Sequence, residues 1–388
     1  MTARPHAEAL LARLIAFDTT SRNSNRALID FVRDYLDGFG IAAELIESPD
    51  GDKANLFATL GDGRDGGVVL SGHTDVVPVD GQDWSDDPFR LRERDGLLYG
   101  RGTCDMKGFI ACALAQVPAL AEARLARPVH LAFSYDEEVG CIGAPYMIAR
   151  MREAGYAPEA VLVGEPTMMD VVPGHKGLIA MRTHVCGHAA HSSQAQQGVS
   201  AVMLAGRLVE RLAAEAERRR TAGPHDDAYT PDWTTVTVNQ IRGGTAVNIL
   251  AGECEFTWDI RHLPDDDPDV LLADFARFCA QVRDEARRIS PRVRIASTEL
   301  ARVPALRAEV DGAAHALACA LSDGDRAAGA AYCTEGGQFQ RAGYSAVVCG
   351  PGSVAQAHQP DEYVSREQLA RCGAFIERLV ARQQRRAA

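Results

Sequence analysis

The chain has 388 residues, more than the roughly 250 to 300 at which a single hydrophobic core stops growing, so we expect two domains. Hydrophobic residues make up 46% and charged residues 24% of the chain, which is typical of folded globular proteins and excludes general disorder. The formal net charge of -12, from 53 acidic and 41 basic residues, predicts no partnership with nucleic acid or with an anionic membrane.

The first forty residues carry apolar side chains at helical spacing, which predicts two amphipathic helices. Short, unbroken apolar runs follow, as expected of strands that are buried on both faces. These runs lie at 55–60, 68–71, 129–135, 160–164 and 346–349. Helical patterns separate several of them, so we predict an α/β fold with a mostly parallel central sheet flanked by helices.

The pattern changes between residues 176 and 299. Alternating strands at 235–241 and 253–260 surround two long helical patterns at 199–220 and 268–288. This predicts an α+β domain inserted into the first one. We therefore expect the main domain in two parts, 1–175 and 300–388, with the inserted domain at 176–299.

The ten cysteines are widely spaced, with no two within four residues of each other, which excludes C-x-x-C redox motifs and paired zinc-thiolate ligands. The N-terminus lacks the apolar segment of a secretory signal, and no run reaches the ~18 apolar residues needed to span a bilayer. These features predict a reducing, cytoplasmic setting.

Acids and histidines follow four of the predicted strands where each strand ends. They are His73 and Asp75 after 68–72, Glu137 and Glu138 after 129–135, Glu165 after 160–164, and His358 after 346–349. A further acid, Asp105, directly precedes a helical pattern at 106–120. Since ligands of open α/β sheets bind beyond the carboxyl ends of the strands, we expect these side chains to converge.

Such a cluster of carboxylates and imidazoles predicts a metal centre, because the carboxylates would repel each other unless cations neutralised them. The expected ligands are His73, Asp105, Glu138, Glu165 and His358. Five ligands are too many for one open tetrahedral site, but they fit two metal ions that share one carboxylate, for which Asp105 is the best candidate. Oxygen and imidazole ligands without thiolate favour Zn²⁺, Co²⁺ or Mn²⁺.

The adjacent Glu137 and Glu138 would point to opposite faces if the backbone there were extended. One carboxylate could then bind metal while the other acts as general base towards a water molecule. Asp75, two residues after His73, is placed to hydrogen-bond the imidazole and fix its tautomer.

Four motifs resemble, in order and spacing, those of the M20 family of dinuclear zinc amidohydrolases. They read SGHTDVVP at 71–78, GRGTCDMKG at 100–108, DEEVG at 136–140 and GEPT at 164–167. The resemblance extends over nearly the whole chain and implies a metal-dependent amide hydrolase with an inserted lid and dimerisation domain.

The resemblance also implies a role for each site residue. His73, Asp105 and Glu165 would hold one metal ion, and Asp105, Glu138 and His358 would hold the other. Glu137 would be the general base, and Asp75 the carboxylate behind the first histidine ligand.

Within the family, segments 139–144, 332–335 and 350–363 are most similar to members that hydrolyse N-acetylornithine to ornithine and acetate in arginine biosynthesis. The alternatives are a succinyl-diaminopimelate desuccinylase, an aminoacylase or a carboxypeptidase. A non-catalytic protein that binds an acyl amino acid through a metal clamp is a further alternative. The spare carboxylate of Glu137 argues against it, because a structural metal site needs no base.

Three residues of the inserted domain match family positions outside the metal centre. His191 matches a histidine that reaches the neighbouring subunit's active site and helps to hold the oxyanion, which implies a homodimer through the inserted domain. Asn248 and Arg261 match positions that recognise substrate, and a guanidinium can bind a free α-carboxylate with two hydrogen bonds. The alternatives are a surface histidine for His191 and a structural salt bridge for Arg261.

Overall fold

Residues 7–325 and 327–384 are described by a computed structural model, in which the chain divides into two units. The first unit comprises Met1–Gly174, Leu306–Gly329 and Thr334–Ala388, and the second comprises His175–Ala305 and Ala330–Cys333. The second unit continues beyond residue 299 because a strand at Arg294–Val303 pairs with its neighbour along most of its length.

The first unit is built on a six-stranded sheet. The strands of this unit, six in the large sheet and three in a small one, are β1 (Ala43–Glu47), β2 (Ala54–Leu60), β3 (Val68–His73), β4 (Arg92–Arg94), β5 (Leu97–Tyr99), β6 (Val129–Ser134), β7 (Ala160–Val163), β12 (Ala346–Val348) and β13 (Tyr363–Ser365). The order of the large sheet is β1-β2-β6-β3-β7-β12, in which β6, β3, β7 and β12 run parallel and β2 is antiparallel to both neighbours. Strands β13, β5 and β4 form a small antiparallel sheet. The predicted α/β class with a mostly parallel sheet is confirmed.

Helices pack around this sheet. They are α1 (Ala7–Ile15), α2 (Arg26–Asp37), α3 (Lys107–Ala115), α4 (Val117–Glu122), α5 (Ala144–Glu153), α8 (Ala313–Leu321), α9 (Gly336–Arg341) and α10 (Arg366–Gln383). The N-terminal pair buries the apolar positions that predicted it, among them Leu11, Leu14, Ile29 and Val32. The pattern at 106–120 forms two helices that meet at Gln116, because Pro118 in the first turn of α4 cannot donate an N–H to a continuous helix.

The second unit is a four-stranded antiparallel sheet with two long helices. Its elements are β8 (Gly177–Cys186), α6 (Ala201–Ala222), β9 (Thr235–Gly243), β10 (Glu253–His262), α7 (Pro268–Arg287) and β11 (Arg294–Val303), with a 3₁₀ helix at Ser192–Gln197. The strand order is β11-β8-β10-β9. Every second side chain of β8 is buried, including Ile179 and Val185, which pack in a core with Leu208 and Phe275 of the helices. One sheet face therefore carries the core, and the other is partly exposed.

No helix within the described ranges is long and apolar enough to cross a membrane.

Candidate metal centre

The five predicted metal ligands meet at the carboxyl edge of the parallel strands in the first unit. His73 is the last residue of β3, and Glu165 lies two residues after β7. Glu138 lies in the turn after β6, His358 in the loop after β12, and Asp105 just before α3. The edge collects them because parallel strands end on the same side of a sheet.

Asp105 lies between the two histidines. Its Oδ1 is 3.0 Å from Nε2 of His73, and its Oδ2 is 3.3 Å from Nε2 of His358. Oε1 of Glu165 is 3.7 Å from Nε2 of His73, and Oε2 of Glu138 is 2.9 Å from Nε2 of His358. Each oxygen of Asp105 thus faces one imidazole, and each imidazole is also close to one further carboxylate, as expected if Asp105 is a ligand shared by two ions.

The charges of this cluster perturb each other strongly. Burial and the charge of Asp105 raise the pKa of Glu138 to about 7, and burial raises the pKa of Glu165 well above its ordinary value. Hydrogen bonds with Asp105 and Glu138 raise the pKa of His358 to about 10. Burial opposes the charge of Asp105, but hydrogen bonds with His358 and His73 outweigh it and lower its pKa. Burial thus disfavours the charged forms of Glu138 and Glu165, and a divalent cation would offset that cost.

The residues fit a pair of divalent cations. Oε1 of Glu138 is buried, and within residues 7–325 and 327–384 it has no hydrogen-bond partner. A buried carboxylate oxygen without a partner is costly, and a cation would supply the missing interaction. The donor set consists of carboxylate oxygens and imidazole nitrogens, which suits Zn²⁺, Co²⁺ and Mn²⁺.

The backbone at Glu137 and Glu138 is a turn, so the alternation of side chains that an extended segment would give does not apply. The carboxylate of Asp75 shapes this turn, because it accepts the N–H of Glu137 at 3.1 Å and that of Glu138 at 3.2 Å. The two glutamates still face different groups. A carboxylate oxygen of Glu137 lies within 4.8 Å of His73 and Glu165, whereas one of Glu138 lies within 4.8 Å of His73 and Asp105.

The imidazole of His73 is oriented by the backbone of Asp75. Its Nδ1 is 2.9 Å from the carbonyl oxygen of Asp75 but 3.6 Å from the nearer carboxylate oxygen. The nearer partner of this nitrogen is the main chain of Asp75, while the carboxylate lies within ion-pair distance of it. The same carboxylate accepts hydrogen bonds from the turn after β6 and, at 2.7 Å, from the hydroxyl of Ser21.

Glu362 holds the loop that carries Asp105, a role that sequence reasoning missed. Its buried carboxylate accepts the N–H groups of Gly102, Cys104 and Asp105 at 2.8–3.0 Å. The guanidinium of Arg101 donates to it at 2.6 Å. Glu362 does lie in the segment 350–363 that contains His358, but the spacing of this segment does not reveal which backbone amides the carboxylate contacts.

Glu335 is a second buried carboxylate close to the centre that carried no predicted role. It accepts hydrogen bonds from the hydroxyl of Ser71 within β3, at 3.1 Å, and from that of Ser134, the last residue of β6. Burial raises the pKa of Glu335, against the hydrogen bond from Ser134 and the charge of His73.

His191, Asn248 and Arg261 belong to the second unit and are not part of the five-residue cluster. The exposed His191 precedes the 3₁₀ helix, and its Nδ1 is 2.8 Å from the hydroxyl of Ser193. Asn248 is exposed, and its carbonyl oxygen accepts the N–H of Ser192 at 2.9 Å. Nη1 of Arg261 is 3.7 Å from Sγ of Cys333, and among the described residues no carboxylate forms a salt bridge with it.

Comparison with known proteins agrees with this geometry. The profile of peptidase family M20/M25/M40 matches residues 69–382. The chain is 36% identical over 389 residues to an acetylornithine deacetylase of Myxococcus xanthus, covering 97% of each protein. Its fold is similar to that of an M20 family metallo-carboxypeptidase from Sulfolobus solfataricus, with a TM-score of 0.78 and 17% identity over 97% of this chain and 98% of the other. It is also similar to that of a dinuclear metal binding peptidase from Bacillus subtilis, with a TM-score of 0.63 and 14% identity over 96% of each chain. The chain therefore belongs to peptidase family M20/M25/M40 and is a hydrolase of that family.

Proposed function

We propose that this M20 hydrolase cleaves the amide bond of N-acetylornithine to give ornithine and acetate, a step of arginine biosynthesis. The observation that carries the substrate is the 36% identity, over nearly the full length of both chains, to a protein named acetylornithine deacetylase. The reaction class rests on the cluster of carboxylates and imidazoles at the sheet edge.

Two divalent metal ions, with Zn²⁺ as the expected metal, would be held by five side chains. His73, Asp105 and Glu165 would hold one ion, and Asp105, Glu138 and His358 would hold the other. The short distances from Asp105 to both imidazoles support its role as the shared ligand. When bound, such ions polarise the scissile carbonyl and acidify a water molecule.

Glu137 is the proposed general base. It accepts a proton from the attacking water and returns it to the leaving amine, so the same carboxylate serves both halves of the reaction. Its position near His73 and Glu165 supports this role, as does the contact of 3.3 Å from its Oε1 to Sγ of Cys141, which orients the side chain. Asp75 is a positioning residue, because its carboxylate accepts the N–H of Glu137 and so holds the turn that carries the proposed base.

Arg261 and Asn248 are the proposed substrate-recognition residues, and His191 the proposed oxyanion donor from a neighbouring subunit. A guanidinium without a salt-bridge partner in the described part of the chain is available to bind a free α-carboxylate with two hydrogen bonds. The exposed imidazole of His191 is likewise available to a partner. Removing a single oxyanion donor typically lowers turnover by about 10² to 10³-fold.

A homodimer through the second unit follows from this role of His191. Strand β9 is an edge strand, and its last five residues, 239–243, are exposed. Edge strands readily pair with another chain. Ile241 on this strand is 52% exposed, and Met203 on the adjoining helix α6 is 73% exposed. Sedimentation of the wild-type chain and of Ile241→Lys tests the dimer, which the lysine should weaken.

The decisive experiment is a substrate panel run on the metal-loaded wild type. We expect kcat/KM for acetylornithine to exceed that for acetylmethionine and succinyl-diaminopimelate by at least about tenfold, the equivalent of about 1.4 kcal/mol in transition-state binding. Equal values for all three would refute the substrate and leave the reaction class standing. Binding of acyl amino acids without turnover would refute hydrolysis of these amides and favour a binding protein.

A further inference from the structure

A histidine, a cysteine and a glutamate meet on the partly exposed face of the second unit's sheet. His184 and Cys186 lie two residues apart on β8, and Glu253 is the residue of β10 directly opposite Cys186. Side chains two apart on a strand share a face, and directly opposed residues of antiparallel strands share it too. Val185, between the first two, points into the core, so the three side chains project from the other face.

The three side chains are close enough to share a single metal ion. Sγ of Cys186 is 3.7 Å from one imidazole nitrogen of His184, Nδ1, and Oε2 of Glu253 is 3.6 Å from the other, Nε2. An ion binds only one of these two nitrogens, so one of the other two side chains must move closer to it. With one ligand atom taken from each residue, all three lie within 4.8 Å of one another. Zinc bonds of about 2.0–2.3 Å at tetrahedral angles place neighbouring ligand atoms about 3.4–3.6 Å apart. Because the Glu253 side chain is 75% exposed, it can rotate to close the remaining gap.

The chemistry of the three donors differs from that of the first centre. A thiolate together with an imidazole and a carboxylate suits Zn²⁺ and other ions that accept sulfur ligands. The contacts of the His184 imidazole with Cys186 and Glu253, at 3.7 and 3.6 Å, are longer than strong direct hydrogen bonds. Two arginines lie nearby: Arg182 is 3.7 Å from Glu255, which partly neutralises it, and Arg294 lies opposite Cys186 on β11. Their positive charge lowers the affinity for a cation.

We propose that His184, Cys186 and Glu253 bind a further divalent metal ion, Zn²⁺ or another thiolate-binding ion, on the sheet of the second unit. Three protein ligands leave one coordination position for water. The strands β8 and β10 hold the ligands in place, since they are paired along ten residues and anchored by the core beneath. The ion joins two strands that are already hydrogen-bonded, so its removal leaves the fold of the unit intact.

Cobalt titration of the full-length chain, stripped of metal by a chelator, tests this site. Co²⁺ bound to a thiolate gives a charge-transfer absorption in the near ultraviolet, whereas the five ligands of the first centre include no thiol. We expect the band in the wild type and its loss in Cys186→Ser. Glu253→Gln should weaken cobalt binding by more than the about 10- to 100-fold that is typical for loss of a partner behind a ligand.

The matched control is Cys319→Ser. Cys319 is also partly exposed and lies 3.6 Å from Nε2 of His315, but the pair belongs to no group of three possible ligands among the described residues. This variant should keep the full band. Zinc analysis should find one ion per chain fewer in Cys186→Ser than in wild type, with amide hydrolysis unchanged in all three variants. Absence of the band from the wild type, or its persistence in Cys186→Ser, overturns the proposal.

Discussion

Replacing Glu362 by Gln should destabilise the first unit and disturb metal binding. Glu362 is not itself a proposed metal ligand, but its carboxylate accepts the main-chain N–H of Asp105, which is one. The carboxylate is fully buried and accepts from three backbone N–H groups and from the guanidinium of Arg101. A carboxamide presents an N–H₂ group to some of these donors, so at least one stays unpaired. Breaking a buried ion pair costs about 3–5 kcal/mol, and each buried N–H left without a partner costs about 1–3 kcal/mol.

We therefore expect Glu362→Gln to lower the free energy of unfolding by about 3–5 kcal/mol, measured by urea denaturation of the metal-free chain. Since a single oxygen, Oε1, accepts the N–H groups of both Cys104 and Asp105, an amide group at that position would disturb the loop, and metal content should fall as well. Asp361→Asn is the matched control, because this neighbouring carboxylate is only partly buried and, within the described residues, accepts hydrogen bonds from Ser85 alone. A Glu362→Gln variant as stable as this control, with both metals retained, would refute the reasoning.

Four further outcomes follow from the structure. Glu137→Gln should keep both metals and lose about 10² to 10⁴-fold in kcat, measured by amide hydrolysis with metal analysis; unimpaired turnover would mean that another group is the base. Arg261→Lys should raise KM more than it lowers kcat, because an ammonium cannot reproduce a two-bond contact to a carboxylate; an unchanged KM would count against the recognition role. Burial lowers the pKa of His130 to about 4. As the pH falls from 6.5 to 4, the unfolded chain therefore takes up a proton at His130 that the folded chain does not. The contribution of His130 should lower the free energy of unfolding by about 1.4 kcal/mol per pH unit across this window, about 3 kcal/mol in all, measured as the difference between wild type and His130→Asn. Finally, hydrogen bonds with Asp105 and Glu138 raise the pKa of His358 to about 10 in the metal-free chain, so a metal ion must displace its proton. The apparent metal affinity should therefore drop about tenfold for each pH unit by which the pH is lowered, for each displaced proton. Calorimetry in buffers of different ionisation enthalpy measures this, and a pH-independent affinity would contradict it.

The parts of the site that could be predicted are those that depend on the ends of strands. His73 and Glu165 follow runs of apolar residues whose shortness and continuity identify buried parallel strands, and such strands end on one edge. The α/β class followed from the same runs. This reasoning needs only local pattern and one general property of parallel sheets.

What escaped prediction depends on contacts between distant segments. The turn at Glu137 forms around the carboxylate of Asp75, which lies 62 residues earlier, so no local pattern distinguishes it from an extended segment. The same holds for Glu335 and Glu362, because a buried acid is recognisable only once its donors are known. The break between α3 and α4 depends on Pro118, which lies within a continuous apolar pattern.

The contact between Glu362 and the loop at Asp105 joins residues 257 positions apart, and it has a consequence for synthesis on the ribosome. The second unit is nearly continuous in sequence, so most of it emerges and can fold while the first unit still lacks its last segment. A nascent chain that stops before residue 358 contains four of the five proposed ligands, but it has neither His358 nor Glu362, the acid that anchors Asp105. If these five side chains hold the metal ions, we expect both ions to bind late, in chains whose translation is nearly complete.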